Sequence, residues 1–163
     1  MKERKFRIYG LVPYNISPIQ QGIQHGHAVV EYGILYGETE EYKRWSRIDK
    51  TFIILNGGTT NMNIERPGSL NIHADALESK GLKVARFHEP DLGDQLTAVV
   101  FLVDDRVWDR ENYPDYSGGY ITQGWKSYPS EPEYSNWKAQ FGDAEEADRI
   151  IDLRNYLKGF RLA

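Results

Sequence analysis

The sequence predicts an α/β protein, a three-layer α/β/α arrangement around a small four-stranded sheet. Three observations point there. Apolar runs of strand length alternate with segments of helical periodicity. The helical segments open on capping residues and close on glycine. One run, Thr51 to Asn56, is continuously apolar through Phe52, Ile53, Ile54 and Leu55, the pattern of a central strand covered on both faces. The alternation favours a mixed, mostly parallel sheet. At 163 residues the chain suits one domain, 1–163, with the sheet in 1–104 and an aromatic-rich extension with a terminal helix in 105–163.

The first strand runs from Phe6 to Tyr14, with Phe6, Ile8, Leu11 and Val12 as its apolar set. A helix follows. Ser17 is a good N-cap, Pro18 suits the first helical position, and Gln20 sits where a capping box takes Glu or Gln. Ile19, Ile23, Val30 and Ile34 recur at helical spacing, with Gly22, Gly26 and Gly33 on or beside the same stripe. Each interior glycine costs about 1 kcal/mol against alanine, so this face is expected against the sheet, and Gly37 ends the helix. Glu38 to Asp49 reads as a short polar helix carrying Trp45, with Glu40/Arg44 and Lys43/Arg47 on a solvated face.

After the Thr51–Asn56 strand, Asn56-Gly57-Gly58-Thr59-Thr60-Asn61 is a polar turn of the kind at which ligands gather in open α/β sheets. Asn61 to Ser69 is loop-like, Leu70 to Ser79 a helix closed by Gly81, and Lys83 to His88 and Thr97 to Val103 the third and fourth strands. From Asp104 to Gly142 periodicity vanishes while aromatics accumulate. A structureless connection of that length is functional or disordered, and the aromatics argue against disorder. The last helix spans about Ala144 to Phe160, with Ala147, Ile150, Ile151, Tyr156, Leu157 and Phe160 as its buried stripe.

Composition narrows the function. The absence of cysteine removes disulfides, thiolate nucleophiles and thiolate zinc sites. A formal charge of −4 gives no global positive field for a polyanion such as tRNA or duplex DNA, and a small ligand fits better. No apolar run reaches membrane-spanning length. A soluble, cytoplasmic protein without a membrane partner is expected. The two histidines at 25 and 27 diverge around the helix, a poor metal pair, so neither metal nor cofactor is expected.

Two polar clusters are candidates for a site. Gln20, Gln24 and His27 fall along one line of the first helix, and Gln21 and His25 along the next, near a helix N-terminus that favours anions. Asn15 stands just before it. His88-Glu89-Pro90-Asp91-Leu92-Gly93-Asp94-Gln95 brings carboxylates and an imidazole to a strand end, for acid and base work or for ribose hydroxyls and amines. Pro90, Asp91 and Gly93 also suit a plain turn; function is the preferred reading for Glu89 and Asp91, the turn for Asp94. Thr97 opens the next strand, and Asn56, Thr59 and Thr60 stand at the other polar turn. The aromatic segment suits either a lid stacking on a base or, more commonly, the covering of a sheet face or a dimer seam.

Strand, Gln24-x-x-His27-Ala28 on a glycine-containing helix, apolar strand, and an acidic turn leading into Thr97-Ala98-Val99-Val100 resemble the second peptidyl-tRNA hydrolase family, the archaeal and eukaryotic type, over about Phe6 to Asp104. Glu89-Pro90-Asp91-Leu92, Gln95-Leu96-Thr97-Ala98 and the ending Phe160-Arg161-Leu162-Ala163 are similar to phage-encoded relatives of it. The resemblance implies a peptidyl-tRNA-hydrolase-like mixed sheet between helices, a homodimer, and a cofactor-free site at the start of the first helix and the turn before the last strand. Gln24, His27 and Thr97 carry over residue by residue, Asp91 more loosely. Where the family has a lysine-glycine-lysine stretch this chain has Pro18-Ile19-Gln20, so the lysine that would meet a tRNA phosphate or the ester oxyanion is missing.

The resulting expectation is a phage-type protein in the host cytoplasm that binds a small ribonucleotide, a host immune signal, and sequesters it. Gln20 and Gln24 would contact phosphate, Glu89 and Asp91 ribose or base, and Thr59 or Thr60 would close the pocket, with Asn15, Gln21, His25, Asn56, Gln95 and Thr97 completing the candidate set. Should the ligand be cleaved, His25, His27 or Asp91 would serve as acid or base. The alternatives are an esterase acting on peptidyl-tRNA or another charged tRNA, and a protein-interaction module.

Overall fold

The computed structural model describes residues 3–60 and 68–163. They form two compact units, one running to Asp104 and rejoined by Gly159–Ala163, the other Asp105–Lys158. The loop expected over Asn61 to Ser69 falls mostly on residues 61–67, outside the described set; Ser69 already begins a helix.

The first unit is a mixed α/β assembly on a four-stranded sheet. Its strands are β1 (Phe6–Pro13), β2 (Thr51–Gly58), β3 (Val84–Glu89) and β4 (Gln95–Asp104), in the order β2-β1-β4-β3. Only β1 and β2 are parallel; β4 runs antiparallel to both β1 and β3. The sheet is therefore not mostly parallel. The reason is local: β3 and β4 are joined by a 3-10 turn, Pro90–Leu92, closed by Gly93 at φ 67° and Asp94 at φ 60°. So short a connection reverses the chain, whereas a parallel pair needs a crossover of a dozen residues or more.

The apolar run of β2 lies at a sheet edge, not at the centre. Its outer edge is covered by the chain's last residues: the Asn56 N–H donates to the Arg161 carbonyl at 2.8 Å, and the Ala163 N–H to that of Ile54 at 3.0 Å. Leu55 bridges Leu162. Pairing on both sides explains why an edge strand reads like a central one.

Helix α1 (Pro18–Tyr36) starts where its caps place it. Ser17 has an extended backbone, its Oγ accepts the Gln20 N–H at 3.3 Å, and Pro18 follows. Such a cap is worth about 1 kcal/mol. The face it buries is not the aliphatic one. Gln24, His25, Ala28 and Tyr32 meet the sheet, while Ile19, Ile23, Val30 and Ile34 are exposed. A Cβ on Gly22 or Gly26 would find no atom within 4 Å. Of the three helix glycines, Gly33 alone has a close neighbour, the Tyr42 hydroxyl 2.6 Å from where its Cβ would stand, and the close approach to the sheet is made by a strand glycine: a Cβ on Gly10 would lie 2.1 Å from the His25 ring. Ala28 and Tyr32 join Ile8, Val12, Ala98 and Val100 in the core on this side, with Trp45, Ala85 and the partly buried Phe87.

The segment after α1 is a short helix α2 (Glu40–Arg44), capped by Thr39, and a π-helical turn, Trp45–Asp49. Helix α3 (Ser69–Ser79) packs through Leu70 beside Leu11 and Gly57, with Arg86 of β3 bonded to its Asp75 at 2.9 Å. Among the described residues no helix is long and apolar enough to cross a membrane.

The second unit contains α4 (Asp105–Trp108), a hairpin of β5 (Tyr120–Gln123) and β6 (Lys126–Pro129), α5 (Glu133–Lys138) and α6 (Ala144–Leu157). Its aromatics pack on one another. Tyr116 meets Tyr134 and Trp137 edge-on at 5.2 and 5.7 Å, and Trp137 meets Phe141 at 5.0 Å. Helix α6 buries Ala147 and Ile150 of the expected stripe together with Leu153 and Arg154, whereas Ile151, Tyr156 and Leu157 are half-buried and Phe160 lies past the helix end. Arg154 is accommodated because it donates to the Arg106 carbonyl and to Asp115, both at 2.8 Å, and lies over the Phe141 ring.

Candidate functional site

A cleft of about 580 Å³ opens where α1 begins and the β3–β4 turn crosses it, lined by Ile16, Ser17, Gln20, Ile23, Gln24, His27, Glu89, Asp91 and Leu92. Its polar floor is a chain of hydrogen bonds between residues far apart in sequence. Thr97, fully buried on β4, donates its hydroxyl to Gln24 Oε1 at 2.6 Å. Gln24, 4% exposed, turns its Nε2 to Glu89 Oε2 at 3.0 Å and to Gln20 Oε1 at 3.5 Å. Because an ionised carboxylate only accepts, Glu89 fixes the Gln24 amide with its N–H groups toward Oε2 and leaves the amide oxygen to accept from the Thr97 hydroxyl.

Glu89 is held from a second side by the Asp91 backbone N–H, 3.2 Å from its Oε1. The Gln24 amide first, then the Asp91 N–H, keep the Glu89 carboxyl below the usual carboxylate range; burial opposes this and the nearby His27 adds to it. Glu89 is thus an ionised, acceptor-only group at the cleft rim. His27 lies flat on Phe87, ring centroids 4.4 Å apart and planes 12° from parallel. Ile16, Ile23 and Leu92 supply an apolar wall. Among the described residues the lining carries no lysine or arginine.

Of the residues singled out from the sequence, Gln20, Gln24, His27, Glu89 and Asp91 line this cleft, with Thr97 directly beneath. The others lie elsewhere. Gln21 donates its side chain to the Pro13 carbonyl at 3.0 Å. His25 is buried over Gly10, edge-on to Phe52 at 5.4 Å, and neither ring nitrogen has a hydrogen-bond partner among the described residues. Burial lowers its pKa to about 4, so it is a neutral core imidazole and no cleft acid or base. Asn15 is exposed in the turn after β1. Asn56 caps its own strand end, its Oδ1 accepting the Gly58 N–H at 2.9 Å. Thr59 is bonded into the start of α3, its N–H donating to Ser69 Oγ at 2.8 Å, and the Thr60 hydroxyl donates to the Leu96 carbonyl. Gln95 is half-buried, paired in register with Glu89.

Ile16, Ile23, Leu92 and Phe87 have no place in the polar reading. Ile16 and Leu92 did carry a signal: each is a large apolar residue where local turn chemistry asks for none.

The phosphate contacts expected at the helix start are weakly provided. Pro18 has no N–H, that of Gln20 goes to Ser17 Oγ and that of Gln21 to the Ser17 carbonyl. Among the described residues the Ile19 N–H is left as the donor of the first turn, and Gln24 is already occupied at both ends of its amide. Searched against known protein families and curated protein sequences, the chain finds no match. Among the described residues no group of three His, Asp or Glu side chains is placed to hold a metal ion.

Proposed function

We propose that this cleft binds the nucleoside part of a small ribonucleotide, and that the protein is a phage-type sequestering protein of peptidyl-tRNA-hydrolase-like, three-layer fold that withdraws a host immune signalling nucleotide in the host cytoplasm. The observation that carries the reading is Glu89, an ionised acceptor steadied by Gln24 and the Asp91 N–H beside an apolar wall. A carboxylate of this kind accepts from ribose hydroxyls or an exocyclic amine, while Ile16, Ile23, Leu92 and the His27–Phe87 stack suit the flat face of a base. With two carboxylates and, among the described residues, no lysine or arginine in the lining, the phosphates would point out toward the Ile19 N–H and water. Holding is favoured over cleavage because the groups in the cleft are committed to one another: Gln24 is bonded at both ends, and His27 is oriented by stacking rather than by the hydrogen-bonded third group that normally aims a catalytic base.

A second reading, hydrolysis of a charged tRNA ester, is favoured by one observation. Gln24, His27 and Thr97, the residues that carry the family resemblance, meet at one cleft. Among the described residues its lining holds no lysine or arginine for the ester oxyanion.

A thermal-shift panel separates these readings. A ligand at a thousandfold excess over its dissociation constant stabilises the native state by about 4 kcal/mol. Ribonucleosides and ribonucleotides should raise the melting temperature while inorganic phosphate does not, and mass spectrometry of the denatured complex should return the ligand intact. Altered ligand would make the protein an enzyme. Turnover of charged tRNA without any nucleotide shift would replace the first reading by the second, and no shift with any nucleotide would remove the first outright.

A further inference from the structure

We infer that the base this cleft selects is guanine, read along its Watson–Crick edge by Glu89 and Gln20. The inference rests on the nucleoside reading above and goes further by naming the base. An ionised carboxylate only accepts, and its two oxygens offer about four lone-pair sites. The protein itself fills one on each oxygen of Glu89: Gln24 Nε2 donates to Oε2 at 3.0 Å and the Asp91 N–H to Oε1 at 3.2 Å. Each oxygen keeps a second site, so the carboxylate offers a ligand two acceptors side by side. Such a pair takes two parallel N–H donors, as it does from the fork of a guanidinium.

A donor stands next to that pair. Gln24 Nε2 lies between Glu89 Oε2 and Gln20 Oε1, the latter 3.5 Å away, so the Gln20 amide flanks the carboxylate at its Oε2 end. The Gln20 oxygen is turned to Gln24, which leaves its Nε2 as the donor toward the cleft that Gln20 lines. Read across, the order is donor, acceptor, acceptor: Gln20 Nε2, Glu89 Oε2, Glu89 Oε1. The complement is acceptor, donor, donor, and of the four bases guanine alone carries it, as O6, N1–H and the 2-amino group. Adenine and cytosine set a ring-nitrogen lone pair beside their amine, and uracil flanks its N–H with two carbonyls. Each of these brings a lone pair against the carboxylate with no proton between them, which is a penalty as well as a missing bond. A guanidinium has the two donors but no acceptor for Gln20.

Titration calorimetry of the full chain with the 5′-monophosphates of guanosine, inosine, adenosine, cytidine and 2′-deoxyguanosine tests the assignment. Inosine lacks only the 2-amino group and should bind about tenfold more weakly or worse, the loss of one hydrogen bond to a charged acceptor. The adenosine and cytidine nucleotides should fall about a hundredfold below the guanosine one. A ribose diol also donates to both oxygens of a carboxylate, and the 2′-deoxy nucleotide separates that case: it should match its ribose counterpart within about threefold. Gln20 is exposed, so Gln20→Met leaves the fold intact while removing the donor to O6. Guanosine and inosine nucleotides should then both weaken, by about fivefold, and the adenosine nucleotide should not change. Guanosine and inosine nucleotides that bind alike, an adenosine nucleotide that binds as tightly, a deoxy nucleotide as weak as the inosine one, or a Gln20→Met chain with the parent's affinities overturns the guanine assignment and leaves the nucleoside reading standing. Binding of none of the five removes both.

Discussion

The Thr97 hydroxyl, fully buried on β4, donates across 2.6 Å to the amide oxygen of Gln24 on α1. This bond joins positions 73 residues apart and pairs the oxygen of the amide whose N–H groups steady Glu89. Replacing Thr97 with Val keeps the shape and removes the donor, leaving the Gln24 oxygen buried and unpaired. A loss of about 1–3 kcal/mol in urea unfolding is expected, with Thr97→Ser losing less. A Val variant as stable as the parent would show that the bond holds nothing in place. For the same reason Gln24→Ala should reduce stability as well as ligand affinity.

Glu89 is where ligand and fold separate. Glu89→Gln keeps the side chain's size but removes the ionised acceptor, so ribonucleoside affinity measured by calorimetry should fall about tenfold or more, the cost of a charge-assisted hydrogen bond. The carboxyl is held below its ordinary value of 4.5, so its favourable contribution is complete above that pH and is lost as pH falls through the lower folded value. Binding by the parent should be flat from about pH 5 to 8. An apparent midpoint inside that interval would assign the effect to another group.

His25 predicts the opposite kind of experiment, on stability alone. Above its unfolded value near 6.5 the imidazole is neutral in both states and contributes no pH dependence. Between 6.5 and about 4 the unfolded chain takes up a proton that the buried ring refuses. Stability should therefore fall by about 3 kcal/mol from pH 7 to pH 4, at 1.36 kcal/mol per unit. His25→Leu should flatten this part of the profile, and an identical slope in parent and variant would mean that other groups carry it.

What could be read from the sequence was local. Ser17 and Pro18 announce the start of α1, the apolar runs announce the strands, and Gly81 follows α3, because caps and periodicity act within a few residues. Orientation was harder. Helix α1 has two faces that qualify for burial, and the more aliphatic one turns outward, because Gln24 and His25 are accommodated by partners on other strands: Thr97 and Glu89 for the first, the bare backbone of Gly10 for the second. No residue near Gln24 in sequence reveals that bond. Likewise β2 reads as central since its edge is closed by residues 161–163, more than a hundred positions away. The polar half of the cleft was visible in Gln20, Gln24, His27, Glu89 and Asp91 because helix spacing and a short turn gather them; its apolar half, Ile16, Ile23 and Leu92, emerges only once the turn crosses the helix.

Gly10 and His25 give the most direct check on how α1 is seated. A Cβ at position 10 would lie 2.1 Å from one ring atom of His25 and 2.3 Å from another, and the strand at Gly10 is clamped between Ile54 and Val100. Neither neighbour can yield easily, so Gly10→Ala should cost about 1–3 kcal/mol as overpacking. His25→Ala alone should also destabilise, by opening a cavity beside Phe52. The two changes touch the same space, so together they should cost clearly less than their sum, with a coupling on the order of 1 kcal/mol or more in a double-mutant cycle. Strict additivity would mean that the helix can shift to admit the methyl group, and that the His25–Gly10 contact does not set its distance from the sheet.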